Sequence, residues 1–392
     1  VTAAYLIFYI SLAAIAYTYC CYPAIMALLA WTRHPAAAPP RHAALPKISV
    51  VISVYNEESV LQAKLENLSR IAYPDESIEF LVGSDGSSDG TCEILATSSL
   101  KNLRAFPFAE RRGKVSVVND LVAQAKGEVI VFSDANTLYN EQTISRLVSH
   151  FADPGVGGVC GELLLNAGHG MTGGEEISYW KYETLLKRWE SSYRTILGAT
   201  GGVYAIRREL FKSLPTYKPV VDDFLIPLEV PRRGLRMVYE PTALAFEETA
   251  GSVRAEFNRR VRIGAQNFSG IPDFFDLLSP RRGYIAFALW SHKLLRWCVP
   301  FLAVLAFAAS GVLACVDRTF VMVFGAELAV LMIVLIGGIA ERARLRIGLL
   351  ALPYYGVAMN VALLVGFFRF ISGRQATTWT TEREAWAKEK NK

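Results

Sequence analysis

An aspartate and an asparagine, Asp134 and Asn136, follow directly on an apolar run, Val129 to Phe132, within EVIVFSDANTLY at 128–139. The run has no polar alternation, which predicts a strand buried on both faces, as in a parallel sheet. Ligands of open α/β sheets bind beyond the carboxyl ends of the strands, so both oxygen-bearing side chains are placed where a site would form. Such oxygens suit a hard cation, Mg2+ or Mn2+. Taken alone, they equally suit an Asx turn. Two more strand-like runs end in acids: Ile48–Val54 leads into Asn56, Glu57 and Glu58, and Ile78–Val82 leads into Asp85. Three strand ends bearing carboxylates point to one shared site. Arg111, Arg112 and Lys114 stand at the entry to the next helical segment. Cations there either meet an anion such as a diphosphate or form a solvated basic turn. Neither GxGxxG nor GxxxxGKS/T occurs, which argues against dinucleotide oxidoreductases and P-loop NTPases.

The elements that must hold these residues alternate in kind. Leu61, Leu65 and Leu68 recur at helical spacing before Tyr73-Pro74 closes the segment. The loop SDGSSDGT at 84–91 places Asp89 to cap the helix after it. Val118, Leu121, Val122 and Ala125 mark another helix, ended by Gly127. Strand, helix, strand in this order predicts a doubly wound parallel sheet.

The chain has 392 residues and a mean hydropathy of +0.27, too apolar for an ordinary soluble protein. Residues 4–30 carry no charge and are long enough to span a bilayer; without a basic start and short apolar core they read as a retained anchor. Runs at 297–316, 320–340 and 347–371 are similarly apolar, the last interrupted by Pro353, Asn360 and Arg369. The predicted organisation is an N-terminal membrane helix over 1–32, a Pro/Ala linker over 33–47 and a globular domain over 48–252. Interfacial amphipathic helices over 253–296, membrane or re-entrant helices over 297–371 and a tail over 372–392 complete it. The net charge is +5, and its basic residues flank the apolar runs: Arg33, Arg41 and Lys47, then Arg281 and Arg282, then Arg342, Arg344 and Arg346. That placement predicts a multi-pass protein of the cell (inner) membrane with its central domain in the cytoplasm. It offers no single basic face for nucleic acid. The six cysteines lack CxxC or Cys/His spacing, so neither a zinc site nor a disulfide framework is indicated.

The segments VVISVYNEE, SDGSSDGT, RRGKVSVVNDLVAQAKGEVIVFSDAN, GATGGVYAIRREL, VVDDFLIPLEVPRRGLRMVYEPTALAFEE and NRRVRIGAQNF resemble the ordered motifs of membrane-integrated family 2 glycosyltransferases. That group includes cellulose, hyaluronan, chitin and poly-N-acetylglucosamine synthases. The resemblance covers roughly residues 48–270. It implies a GT-A fold with a Rossmann-like, mainly parallel sheet, a nucleotide-sugar donor, UDP-linked by family habit, inversion at the anomeric carbon, and a divalent metal, Mg2+ or Mn2+. Position by position, it implies that Asn56, Glu57 and Asp85 line the nucleotide pocket and that Lys114 faces the nucleotide or its phosphates. Asp134 and Asn136 fill the family's DxD as metal ligands, with an amide in place of the second acid. On that reading, Asn136→Asp should lower the metal requirement. Asp223 aligns with the catalytic base and Asp222 with the acid before it, with Asp222 as the alternative base; two adjacent carboxylates can also raise one another's pKa, or one can cap a turn. Gly201 and Gly202, within the small-residue run Gly198–Gly202, fall in the acceptor region with Glu162, which ends another apolar strand. Arg259 and Arg262 take the place of diphosphate-binding arginines, while Ile263 stands where processive members carry a tryptophan. Trp379 begins a Trp-x-x-x-Arg segment like those bordering the donor site.

The function so implied is sugar transfer to a polysaccharide or lipid-linked acceptor at the cytoplasmic membrane face. A threaded polymer would require tight packing, a second copy or a partner subunit. The alternative is a non-catalytic membrane protein that binds nucleotide-sugars. Three full C-terminal spans would leave the tail outside, whereas Trp379 and the lysines after it favour a cytosolic tail with 347–371 lying along or re-entering the membrane.

Overall fold

The structure, a computed structural model, describes residues 1–33, 45–166, 173–249, 253–343 and 351–378. Trp379, expected to border the donor site, therefore lies outside the described residues, as does most of the predicted linker. Strands β1 (Ile48–Val54), β2 (Ile78–Asp85), β3 (Leu103–Phe108) and β4 (Val129–Ser133) pair in parallel in the order β3-β2-β1-β4. All five residues of β4 are buried. Ile130 and Phe132 pack into the core on one side of the sheet, Val129 and Val131 into the core on the other, which is why the run needs no polar alternation. The chain winds from β1 outward through β2 and β3, then returns to β4 on the opposite side of β1. The crevice between the ends of β1 and β4 is therefore a topological switch point.

The sheet then changes character. Strands β5 (Leu138–Tyr139), β6 (Val156–Asn166), β7 (Tyr204–Arg207) and β8 (Arg236–Glu248) extend it in the order β4-β7-β6-β8-β5. Here β7 is antiparallel to β4 and β6, β8 is parallel to β6, and β5 is antiparallel to β8. The fold is the expected GT-A type, a Rossmann-like parallel half joined to a mixed half.

Among the described residues four helices are long and apolar enough to cross a membrane. They are α1 (Thr2–Trp31), Tyr284–Ala314, Arg318–Arg342 and Ala351–Ile371. The second begins at Tyr284, inside the segment assigned from sequence to interfacial helices. The last is one continuous helix. It lies against the helix Val253–Gly270, where an added side chain at Gly366 would strike the Val261 carbonyl at 2.6 Å, so glycine is what permits the close crossing.

The helix Gly173–Tyr193 joins the membrane helices to the sheet. Glu183, Lys187 and Glu190 share one face of it by their spacing and are all nearly buried. Glu190 accepts from Tyr22 of α1 at 2.7 Å and pairs with His292 Nδ1 at 2.6 Å, and Arg296 is ion-paired with Glu183. Both membrane helices contain a π turn, at Tyr17–Cys21 and Leu289–Leu294, and the two meet through Tyr17 and Ser291 at 2.8 Å.

Candidate active site

Four charged side chains meet beyond the end of β4. Lys114 opens the helix Lys114–Gln124 and donates to Asp134 Oδ1 at 2.8 Å while pairing with Asp222 Oδ2 at 3.0 Å. Burial works against the Lys114 charge, but Asp134 and Asp222 outweigh it and hold its pKa above the ordinary lysine value. Burial likewise works against the Asp134 charge, and Lys114 more than offsets it, so this carboxyl stays below its usual range.

Asp222 and Asp223 begin the helix Asp222–Arg232, where carboxylates oppose the positive end of the helix dipole. Asp223 differs from its neighbour. Burial, reinforced by the Asp222 charge, pushes its pKa up to about 6. Its main-chain carbonyl accepts from Ala199 N–H at 2.8 Å, which fastens the 198–202 loop beside it. A side chain at Gly201 would lie 2.8 Å from Asp223 Oδ2 and 3.3 Å from Asp134 Oδ2. The bare Cα of Gly201 thus keeps open the gap between the two carboxylates. At Gly202 a side chain would collide with Thr137 Oγ1 at 2.3 Å, so glycine there lets the run pack against the loop after Asp134.

Whether this end of the site suits a cation is decided by Asp134 and Asn136. Asp134 is a third exposed, and its Oδ2 is the oxygen that Lys114 does not hold. Asn136 donates its amide nitrogen to Glu247 Oε1 at 2.9 Å. An ionised carboxylate only accepts, so the nitrogen must face Glu247 and the carbonyl oxygen is the atom left for a cation. No cluster of three His, Cys, Asp or Glu side chains able to enclose a metal exists among the described residues. One anionic and one neutral oxygen fit Mg2+ or Mn2+ that completes its shell with phosphate and water.

The remaining candidates divide. Asp85 is buried, and its two oxygens accept from Arg112 N–H and Gly113 N–H, both at 2.7 Å, so it organises the loop that presents Lys114. Asn56 adopts a left-handed backbone, φ 51°, and its side-chain oxygen accepts from Ser88 N–H at 2.9 Å. Glu57 N–H donates to Thr91 Oγ1 at 2.9 Å. These residues stitch the end of β1 to the SDGSSDGT loop at the mouth of the crevice. The basic turn is not merely solvated: Arg111 lies 3.6 Å from the centre of the Tyr55 ring and Arg112 4.3 Å from that of Phe108. On the helix Val253–Gly270, Arg259 is among the charges that lower the Asp134 pKa, and Arg262 follows at helical spacing. Arg260 is committed to Glu256 at 2.6 Å and to the Tyr179 ring. Glu162 is ion-paired with Arg188 at 2.7 Å.

Four further residues belong to the site. Lys64, fully buried, donates to Ser133 Oγ at 2.7 Å and to the Thr137 carbonyl beneath the Asp134 turn, and burial lowers its pKa to about 7. Lys187 donates to Thr200 Oγ1 at 2.6 Å and acts on Asp223. Tyr204 is buried against Phe132, its hydroxyl without a hydrogen-bond partner among the described residues. Glu247 is the fourth. No sequence periodicity marks them, because each reaches the site from a distant element.

Residues 49–214 match the family model described as glycosyl transferase family 2. The chain is 26% identical over 232 residues to a probable glycosyltransferase, YdaM, of Bacillus subtilis, covering 56% of this chain and 54% of that protein. It is 25% identical over 250 residues to the poly-beta-1,6-N-acetyl-D-glucosamine synthase of Staphylococcus aureus, covering 61% of this chain and 59% of that one. The chain thus spans little more than half the length of these relatives. The structure resembles the mannosyltransferase PcManGT from Pyrobaculum calidifontis, solved in complex with GDP-Man and Mn2+, with a TM-score of 0.71 and 23% identity. That likeness covers 93% of this chain and 99% of the other, and it establishes the shared fold.

Proposed function

We propose, from the match of residues 49–214 to the glycosyl transferase family 2 model, that this protein is an inverting glycosyltransferase acting at the cytoplasmic membrane face. It moves a sugar from a nucleotide-sugar, UDP-linked by family resemblance, to a hydroxyl of a glycan or lipid-linked acceptor. One observation carries the reading: Lys114, Asp134, Asp222 and Asp223 converge around the bare Gly201 at the switch point of the sheet. Two chemically different ends lie within that small space. At one, Lys114 and the nearby Arg259 offer positive charge to a diphosphate, and arginine at 262 adds a planar donor on the same helix. At the other, Asp223 has the properties of a general base near neutral pH, since its pKa of about 6 leaves it ionised yet proton-seeking.

The reaction then divides among residues of this chain. Asp223 takes the proton of the acceptor hydroxyl while that oxygen bonds to the anomeric carbon. The bond from that carbon to the diphosphate breaks on the opposite face, which inverts the centre. Its electron pair leaves with the nucleoside diphosphate, towards Lys114 and the arginines. A Mg2+ or Mn2+ held by Asp134 and the Asn136 carbonyl oxygen would, when bound, neutralise charge on that leaving group. Asp222 stays paired to Lys114 and raises the basicity of Asp223.

The four apolar helices support presentation of the acceptor at the bilayer. Incubating the purified protein with radiolabelled UDP-sugars, and with GDP-mannose as a contrast, in a bacterial lipid extract tests the proposal. A labelled glycolipid or polymer is expected with one donor class. Nucleotide binding without transfer from any donor would leave a non-catalytic binding protein instead.

A further inference from the structure

The replacement of the second DxD acid by Asn136 is answered elsewhere in the fold. Strand β5 pairs with β8 through Leu138 and Phe246, which draws Glu247 alongside the turn that follows Asp134. There Glu247 Oε1 accepts from Asn136 Nδ2 at 2.9 Å. A free asparagine amide presents nitrogen or oxygen with little preference, and only the oxygen can bind a cation. A carboxylate neighbour removes that choice.

We propose that Glu247 is a positioning residue that fixes the Asn136 amide with its carbonyl oxygen towards the cation site and supplies the negative charge that position 136 lacks. The inference rests on the metal-assisted reading above. Partners of this kind behind a metal ligand govern affinity through orientation and charge without touching the ion. It also reverses the expectation from the sequence. An aspartate at 136 would set two carboxylates in contact, so with Glu247 present it would be pushed out of position and hold metal less well. Restoring a donor at 247 would cure this, because a glutamine amide can donate to an aspartate.

The test is Mn2+ uptake, followed by calorimetry and by the electron paramagnetic resonance of the ion, in the full-length protein with UDP and separately with GDP. The forms compared are wild type, Glu247→Gln, Asn136→Asp and the double variant, with melting temperatures of all four as a control for folding. Glu247→Gln should weaken Mn2+ binding on the order of 10-fold. Asn136→Asp should also weaken it, and the double variant should return to within about 3-fold of wild type, since its hydrogen bond is rebuilt with reversed polarity. Wild-type affinity in Glu247→Gln overturns the proposal, as does tighter binding in Asn136→Asp alone. Failure of the double variant to recover while both single variants bind weakly overturns it too, and marks Glu247 as a direct ligand. Should Glu247→Gln misfold, Asn136→Asp against wild type decides alone: weaker Mn2+ binding supports the proposal and tighter binding overturns it. A wild-type protein that takes up no Mn2+ with either nucleotide overturns this inference together with the metal-assisted reading.

Discussion

Replacing Asp223 by Asn should make the protein more stable while removing its activity. Burial and the Asp222 charge raise the Asp223 pKa from 3.8 to about 6. The unfolded chain ionises at the lower value and the folded one at the higher, so folding favours the protonated acid. Below about pH 4 the residue costs nothing; the cost accumulates as the pH rises through that window and is complete above about pH 6. The difference between those two values corresponds to about 3 kcal/mol, an upper bound because water reaches the partly buried group. Asparagine keeps the shape, removes the charge and cannot take a proton. In thermal melts at fixed detergent, Asp223→Asn should melt several degrees above wild type at about pH 7.5, with the gap shrinking to roughly a third at about pH 4.5. Transfer should fall by roughly 10^2 to 10^4. In the wild type, kcat/KM should drop as the pH falls through about 6, because the base is then protonated. A variant that melts no higher than wild type at either pH would refute the assignment of a buried, charge-strained base.

Other perturbations separate the remaining roles. Lys114→Met leaves Asp134 and Asp222 without their cation, and melting should show a loss of about 1 to 3 kcal/mol together with weaker UDP binding by calorimetry. Gly201→Ala puts a methyl group 2.8 Å from Asp223 Oδ2. The flexible carboxylate can move aside, so melting should change by less than about 1 kcal/mol while turnover falls on the order of 10-fold or more. Lys64, with its pKa lowered to about 7, destabilises the fold increasingly as the pH falls from 10.5 towards that value. Melts between about pH 9 and pH 7 should therefore show a downward slope in wild type that Lys64→Met removes.

What the sequence could reveal followed from local pattern. A run such as Val129 to Phe132, with no polar alternation, has few homes outside a sheet covered on both faces, and the acids that follow β1 and β4 and the one that ends β2 fall at the expected strand ends because topology places ligands there. The antiparallel half was less legible, since short β7 is a strand only by its pairing with β4 and β6. Lys64 sits in an amphipathic helix, where a lysine normally reads as a solvated face; the Asp134 turn folded over it makes it buried. Glu183 and Glu190 look like charges on an exposed helix until α1 and the helix from Tyr284 cover that face, and Lys187 does so until Thr200 of the loop beside Asp223 accepts its hydrogen bond. Asp85 shows a different limit. Sequence places the carboxylate at the right strand end but does not reveal that its two oxygens accept from the N–H groups of the loop bearing Lys114.

The most direct measurement follows two products together in the purified protein: nucleoside diphosphate released and labelled sugar appearing on the acceptor. Wild type should release one nucleotide for each sugar transferred, Asp134→Ala should lose both signals, and Asp223→Asn should lose transfer while still binding the nucleotide. Full transfer by Asp223→Asn would contradict the account at its centre.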